Sequence, residues 1–521
     1  VPMIGRAAER QQLADALDRL KDGRSGALLI EGQAGIGKSR LVQELLAMVE
    51  PQTALALFGS GDAIEQSTPY HAWRPIFEQL FYPEREEPQA ADFWLAETKR
   101  RLDPSLHDLL PLLQVIFPID LPETELTANL TGEARRDNTQ RLLIQLLETA
   151  VDQPLILVLE DAHWLDSASW TLLRRVQRQL QPLLLVLALR PFAKNETFPA
   201  FYADLAELPA TLRIELDVLP FAAVEELVCH SLGVRQLPTA VSKLIHTKAE
   251  GHPFFSEELA YALRDAGLIL IENGECRLAA NVSDFEALNF PNTIQGVITS
   301  RIDRLSPPQQ LTVKVASVIG RIFAFSLLRG IYPVSTGAAE LRQHLEDLER
   351  LDITPIETPD PNLAYIFKHL VTQEVVYNLM TFAQRQQLHR RTAVWYEENQ
   401  AGDLNRSYPL LAHHWHLAGD TERAVMYYEK AGENAFRDYA NQEAIRFFTQ
   451  ALELSSEAYP AAQRARWQRQ MGEAAYRLTQ VEQSQDHYLA ALALLQRPLP
   501  SSTVRRALGL GRQLTRQARY Y

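Results

Sequence analysis

The stretch "EGQAGIGKSRLVQEL" at 31–45 sets Gly32, then four residues, then Gly37, Lys38 and Ser39 between the apolar run "ALLI" and a helical pattern. Glycines at these positions let the backbone turn its N–H groups inward around phosphate oxygens. The helix from Ser39 onward adds its positive end. Lys38 would reach the β- and γ-phosphates and the Ser39 hydroxyl would ligate Mg2+. The pattern is a complete P-loop, and it predicts a site for ATP or ADP with Mg2+; Gly35, Ile36 and Arg40 are counted with that site. A glycine-rich turn with no ligand would have to account separately for the strand before it and the helix after it.

A second acidic motif stands at "LEDAHWLD", 159–166. Carboxylates at a strand's C-terminal edge across from a P-loop divide two tasks. One binds Mg2+ directly or through water, and the other orients the attacking water. Glu160 and Asp161 are the candidates for both tasks. Asp166, just before "SASW", reads as a helix cap. The fourth strand ends in "ALRP", which places Arg190 at the same edge, either as a sensor of the γ-phosphate or as a surface ion-pair partner.

The elements that must carry these residues can be read next. Strand candidates fall at 27–31, 54–59, 155–160, 183–189 and 213–219, with helical patterns such as 39–49 and 168–180 between them. Apolar strands separated by helices indicate a parallel sheet buried on both faces. The stretch 60–150 reads as a helical insertion, with amphipathic segments near 72–81, 92–101 and 134–151. Residues 220–275 read as helices that would form a lid over the nucleotide. Four helical patterns in 292–350, followed by two short strands around a Pro-rich turn in 352–369, suggest a winged helix. Its candidate third helix, "AAELRQHLEDLERL", carries four acids. That is a poor surface for a phosphate backbone, so an internal role is expected rather than DNA binding.

The tail contains a repeat. "GENAFRDYANQEAIRFFTQALEL" from Gly432 aligns without a gap to "GEAAYRLTQVEQSQDHYLAALAL" from Gly472, pairing Phe436 with Tyr476, Phe448 with Tyr488 and Ala451 with Ala491. Small and aromatic residues at helical spacing resemble tetratricopeptide repeats with a slightly long period. The histidines His413, His414 and His416 sit with Trp415 in an amphipathic helix and lack supporting acids or cysteines, which argues against a metal.

Composition sets the outer limits. The 521 residues exceed one core, so several domains are expected. The net charge of −13 argues against a surface that coats nucleic acid. Two cysteines far apart in sequence, Cys229 and Cys276, suggest a reducing compartment, and the apolar runs are too short to span a bilayer. A cytoplasmic protein with no membrane segment is the expectation. The chain opens at Val1 and closes in "RQARYY", still of helical composition, as expected of a piece of something longer.

Taken in order, "MIGRAAERQQL", "GQAGIGKSRLVQEL", "LVLEDAHWLDSAS", "LALRP" and "EGHPFFSEEL" resemble the STAND signal-transduction ATPases. The resemblance is to the AAA-like ATPase and repeat module of bacterial class III adenylyl/guanylate cyclases and large LuxR-type regulators. It implies that Ile4, Gly5 and Arg6 pack around the adenine and that Pro253 lies near the nucleotide. It also implies that His369, in "FKHLVTQEVVY", contacts the ADP β-phosphate. Many members carry Asp-Asp where this chain has Glu160-Asp161, and a longer first acid could shift metal coordination to Asp161.

The expected fold is therefore multidomain α/β plus α. It comprises a P-loop parallel-sheet ATPase core over 1–219 with its insertion at 60–150, a helical lid over 220–290, a winged helix over 291–375 and a tetratricopeptide-like α-solenoid over 376–521. The expected function is a slow regulatory ATPase, a nucleotide-dependent switch. Its repeats would sense a protein or small-molecule ligand, its nucleotide state could govern self-association, and its output domain lies elsewhere. Two other readings are a DNA-associated AAA+ ATPase of the origin-binding kind and a nucleotide-stabilised scaffold that does not hydrolyse.

Overall fold

The structure is a computed structural model that describes residues 3–50, 52–81, 91–119, 121–130, 132–191, 200–279, 293–399, 404–455 and 459–497. The expected boundaries at 290/291 and the tail from 498 lie outside the described residues.

Five parallel strands make the central sheet: β1 (Gly26–Glu31), β2 (Leu55–Ser60), β3 (Leu155–Glu160), β4 (Leu183–Leu189) and β5 (Thr211–Glu215). Their order is β2-β3-β4-β1-β5. Every residue of β3 and β4 is buried, because helices cover both faces and no polar alternation is needed. Leu13, Leu17, Leu41 and Leu45 pack one face from the helices Ala7–Lys21 and Lys38–Ala47. The other face meets the helix Ser167–Gln179 and the insertion, whose last helix is Gly132–Ala150. There Trp73, Phe77 and Phe117 are buried together, and an unexpected run of 3-10 helix covers Pro104–Val115. β5 ends at Glu215, earlier than its apolar continuation suggested: Leu216 still packs in the sheet core and donates to the Glu31 carbonyl at 2.8 Å, and by Leu219 the chain has joined the next helices.

Those helices, Phe221–Leu232, Thr239–Ala249 and Pro253–Asp265, match the periodic pattern. They are followed by a hairpin the helical reading missed, β6 (Ile269–Glu272) and β7 (Glu275–Leu278). Asn273 and Gly274 both have positive φ, the backbone a two-residue hairpin turn requires.

Next come helices Ile294–Asp303, Pro307–Ile319, Phe325–Ile331 and Ala338–Arg350, with strands β8 (Ile322–Ala324), β9 (Ile356–Thr358) and β10 (Ala364–Ile366) in the order β8-β10-β9. Helix, strand, two helices and a hairpin closing on the first strand is the winged-helix arrangement. A buried arginine fastens it to the preceding helix Pro253–Asp265 and, through Leu351, braces it internally. Arg301 donates to both carboxylate oxygens of Glu258 at 2.7 and 2.8 Å, and to the Leu351 carbonyl at 2.7 Å. Both charges are buried, so losing either partner would strand the other in low dielectric.

The C-terminal part is antiparallel helix pairs, Thr421–Arg437 with Asn441–Leu454 and Ala461–Arg477 with Val481–Leu494. The repeat has a steric origin. A Cβ placed on Gly432 would lie 2.7 Å from the Phe448 ring, and one on Gly472 would lie 3.3 Å from the Tyr488 ring. In each pair a glycine admits the aromatic residue of its partner helix. These helices fold back on the parallel-sheet part. Arg135 pairs with Asp438 at 3.2 Å, Arg446 donates to the Ser67 hydroxyl at 2.8 Å, and Glu443 accepts from the backbone and hydroxyl of Ser167 at 2.7 and 2.6 Å.

Three histidines join the helix Phe382–Asn399 to the helix Leu404–Leu417. His389 and His414 meet Nδ1 to Nδ1 at 2.8 Å, and Tyr377 bonds His389 Nε2 at 2.9 Å. Burial holds His389 down to about 3 and His413 to about 4, and His414 well below the usual imidazole range.

Two outcomes follow from this packing. Gly432→Ala should destabilise the protein by about 1–3 kcal/mol in urea unfolding, even though alanine favours a helix interior by roughly 1 kcal/mol. A variant as stable as the parent would remove the steric account of the repeat. Second, an unfolded chain protonates these histidines near pH 6.5 while the folded one does not, so folding stability should fall as pH drops from about 6.5 towards 4, by about 1.4 kcal/mol per pH unit per excluded proton. His414→Phe should flatten that slope, and an unaltered slope would assign the acid sensitivity to other groups.

Candidate functional site

The strand order positions the site. β1 and β3 both flank β4, so the loops after them are separated by two strand spacings, roughly 10 Å. The P-loop, the acidic pair and Arg190 therefore share the C-terminal edge of the sheet, where open α/β sheets bind ligands.

In the P-loop, Gly35 and Gly37 hold φ of +75° and +108°, conformations that favour glycine. A Cβ on Gly32 would come within 2.6 Å of buried Ile36, so this position also excludes a side chain. Lys38 begins the helix and is buried, and its Nζ donates to the carbonyls of Gly32 and Gln33 at 2.8 and 2.9 Å. Burial lowers its pKa to about 8, against the pull of Asp161 and Glu160. Arg40 follows two residues on, half-buried on the same helix.

Ser39 Oγ donates to Glu160 Oε2 at 2.9 Å. Glu160 is the last residue of β3 and is buried, which raises its pKa despite the Ser39 bond and the nearby cations. Asp161, one residue beyond the strand, takes a left-handed backbone with φ 46°. Its carboxylate lies 3.3 Å from Arg321 Nη1. The two acids are thus held differently, one by the P-loop serine and one by an arginine of the winged helix. Arg190 lies over the Trp164 ring at 5.3 Å, and its charge helps to lower the Lys38 pKa.

The first residues reach the same region from behind. Ile4 packs with Leu219 and Ala223, and a Cβ on Gly5, at φ +68°, would strike Ala223. Arg6 is buried and donates to the Asp217 carbonyl and, at 3.2 Å, to Glu9. Pro253 is the first residue of its helix, a position its fixed φ suits.

Three further residues touch the site that sequence reasoning did not single out. His252, which caps the helix start, lies with Nε2 3.0 Å from the Ala34 carbonyl of the P-loop, and its Nδ1 accepts from Phe255 N–H at 3.3 Å. Burial keeps it neutral, so Nε2 carries the proton that Ala34 accepts. Phe254 fills the space beside Gly35, where an added Cβ would lie 2.9 Å from the Phe254 Cβ. Its ring packs on His369 at 3.8 Å between centroids. His369 itself heads the helix Leu370–Asn378, and burial together with Lys368 and Arg321 keeps it neutral. The signal for His252 and Phe254 was present in "GHPFF". Arg321 had none, because its role depends on the wing folding onto the sheet edge.

The donor set suits a nucleotide with Mg2+: hard oxygens from Ser39, Glu160 and Asp161, one buried ammonium and a loop of inward-turning glycines. Among the described residues no cluster of three or more His, Cys, Asp or Glu is arranged to hold a metal by itself, and no helix is long and apolar enough to cross a membrane.

Comparison with known proteins finds relatives over parts of the chain. Residues 222–277 match a family described only as a domain of unknown function. An uncharacterized protein of Rhizobium meliloti is 28% identical over 467 residues, covering 87% of this chain and 43% of the relative. Adenylate cyclase type 10 of Rattus norvegicus is 22% identical over 379 residues, covering 64% of this chain and 23% of the cyclase. The chain thus spans less than half the length of these relatives. Among solved structures, a STAND protein with a tetratricopeptide repeat sensor from Pyrococcus horikoshii aligns over 93% of this chain and 64% of that one, at 10% identity and a TM-score of 0.41. The Aeropyrum pernix Orc1 protein in complex with DNA aligns over 73% of this chain and 93% of that one, at 15% identity and a TM-score of 0.32. Residues 2–187, which hold the P-loop, the acidic pair and most of the sheet that sets them face to face, match the AAA ATPase domain family.

Proposed function

We propose that the chain binds ATP or ADP with Mg2+ at the P-loop edge and acts as a nucleotide-dependent regulatory switch. One observation carries the reading: parts of the chain far apart in sequence converge on the phosphate-binding loop and the acids. His252 reaches Ala34, Phe254 packs between Gly35 and His369, and Arg321 meets Asp161. A nucleotide at this edge would touch each of these parts, so its state would bias how they dock. A ligand shifts such an equilibrium only by its difference in affinity for the two arrangements.

In this reading Lys38 leaves the P-loop carbonyls for the phosphates, and the glycine-rich turn supplies N–H donors. Mg2+ would supply charge neutralisation between the phosphates, held on the side of Ser39 and Glu160. Asp161, free of Ser39, would accept a hydrogen bond from the attacking water. Water then bonds to the terminal phosphorus, the bond to the bridging oxygen breaks, and ADP, inorganic phosphate and a proton leave. Arg190 would stabilise the developing charge. The resemblance implies that His369 contacts the ADP β-phosphate; it lies behind Phe254, one packing layer from Gly35, so that contact would require the Phe254 ring to move aside.

The repeats supply the sensing surface in this proposal, through a protein or small-molecule ligand, with self-association as a further consequence of nucleotide exchange. A cytoplasmic location accords with it. Direct DNA binding is disfavoured by the acidic winged-helix surface, where Arg342 is already committed to Asp360 at 2.9 and 3.0 Å.

Lys38→Ala is expected to remove ATP and ADP binding in calorimetry while circular dichroism stays unchanged; retained affinity would end the assignment. The two acids should separate. Glu160→Gln should raise the Mg2+ concentration needed for half-maximal turnover, whereas Asp161→Asn should lower kcat at least tenfold with the Mg2+ midpoint unmoved. If neither variant alters turnover, the pair is structural and the non-hydrolysing scaffold gains.

A further inference from the structure

Arg321 joins the winged helix to the acidic pair at the sheet edge. It lies in the turn before β8, and its own carbonyl accepts from Phe367 N–H at 2.8 Å, fixing it to the strand β10 side of the wing. From there its guanidinium crosses to the parallel-sheet part and meets Asp161 at 3.3 Å. Both side chains are mostly shielded, at 23% and 16% exposure, so the attraction is weakly screened. The pairing is incomplete, however. A guanidinium matched to a carboxylate usually engages it through two N–H groups. Here Nη1 alone reaches Asp161, and the buried Nε has no acceptor among the described residues. Glu160 is held by Ser39 instead, so the arginine is bonded to only one of the two acids.

We propose that Arg321 is a positioning residue for the hydrolytic carboxylate: while the winged helix is docked it holds Asp161 away from the attacking water, and undocking of the wing frees Asp161 to orient that water. The inference rests on the assignment of Asp161 to the water. Its chemistry is competition for one acceptor. A carboxylate oxygen committed to a guanidinium is a weaker acceptor for a water proton and is turned towards the wing. Because the bond is single and leaves a donor unsatisfied, it can be surrendered without breaking a strong bidentate pair. Docking of the wing and hydrolysis then become mutually exclusive uses of Asp161, and hydrolysis proceeds in the minority of molecules whose wing is released.

The full chain tests this through four variants, Arg321→Ala, Arg321→Lys, Asp161→Asn and the Asp161→Asn/Arg321→Ala pair. Steady-state ATP hydrolysis at saturating Mg2+ should show kcat raised at least fivefold by Arg321→Ala with KM unchanged. Arg321→Lys, which keeps the charge, should stay near the parent. The double variant should match Asp161→Asn, because the arginine acts only through that carboxylate. A readout independent of turnover is hydrogen exchange in nucleotide-free protein. Asp161→Asn should expose the amides of Ile322–Ala324 and Ala364–Ile366 to faster exchange, as Arg321→Ala should. An unchanged or lowered kcat in Arg321→Ala overturns the proposal, as does a gain that persists in the Asp161→Asn background. Unchanged wing exchange in both single variants would likewise overturn it. If Asp161→Asn turns over like the parent while Lys38→Ala does not bind nucleotide, the assignment of Asp161 to the water has failed instead.

Discussion

Phe254 sits where three parts of the chain meet, and its packing fixes what the rest can do. Its Cβ occupies the space that a side chain at position 35 would need, and its ring lies flat enough on His369 to bring the centroids to 3.8 Å. Gly35 therefore serves two demands, the left-handed turn and the absence of a side chain. A shift of the loop towards Phe254 at Gly35 would press on that ring, since even an added Cβ there would lie within 3.0 Å of it. Phe254 in turn belongs to both the helix Pro253–Asp265 and the hydrophobic cluster of the winged helix. Close-packed interiors transmit such displacements because they have few voids to absorb them.

Charge reinforces the same convergence. Lys38 is a buried ammonium whose pKa burial lowers to about 8, while Asp161 and Glu160 pull it up and Arg190 and Arg321 push it down. The site thus gathers three cations and two acids from the P-loop, the ends of β3 and β4 and the wing. Such an array is close to balance, so one added multiply charged ligand redistributes most of its pairings. The Lys38 bonds to Gly32 and Gln33 are the pairings a phosphate would replace.

Legibility in the sequence followed the range of the physics. The strands were readable because β3 and β4 are buried on both faces and need unbroken apolar runs, and the P-loop because its glycines answer a local backbone demand. Gly432 and Gly472 were readable as a repeat, since each meets the aromatic residue sixteen positions later within one helix pair. What failed was short or distant. β8 has three residues, too few to show period two, and the β6–β7 hairpin was masked by the helical periodicity before it, although "NG" marked its turn. His252, Phe254 and Arg321 act through residues 218, 219 and 160 positions away, on the P-loop and Asp161, and no local pattern records a contact made across domains.

The loop after β3 shows why distance matters for function. At one end Asp161 is held by Arg321 from the winged helix. At the other, the helix Ser167–Gln179 starts with two carboxylates on its first turn: Asp166, which accepts from Ser169 N–H at 2.8 Å, and Glu443 of the repeats, which accepts from Ser167 N–H at 2.7 Å. A helix N-terminus favours negative charge, yet burial and the second carboxylate raise Asp166 to about 7. The repeats and the wing therefore grip the same short segment, 161–167, at its two ends, and the segment carries one of the two acids of the site. Among the described residues, that short loop joins the repeats to the acidic pair through direct contacts, so loosening either grip would change its freedom.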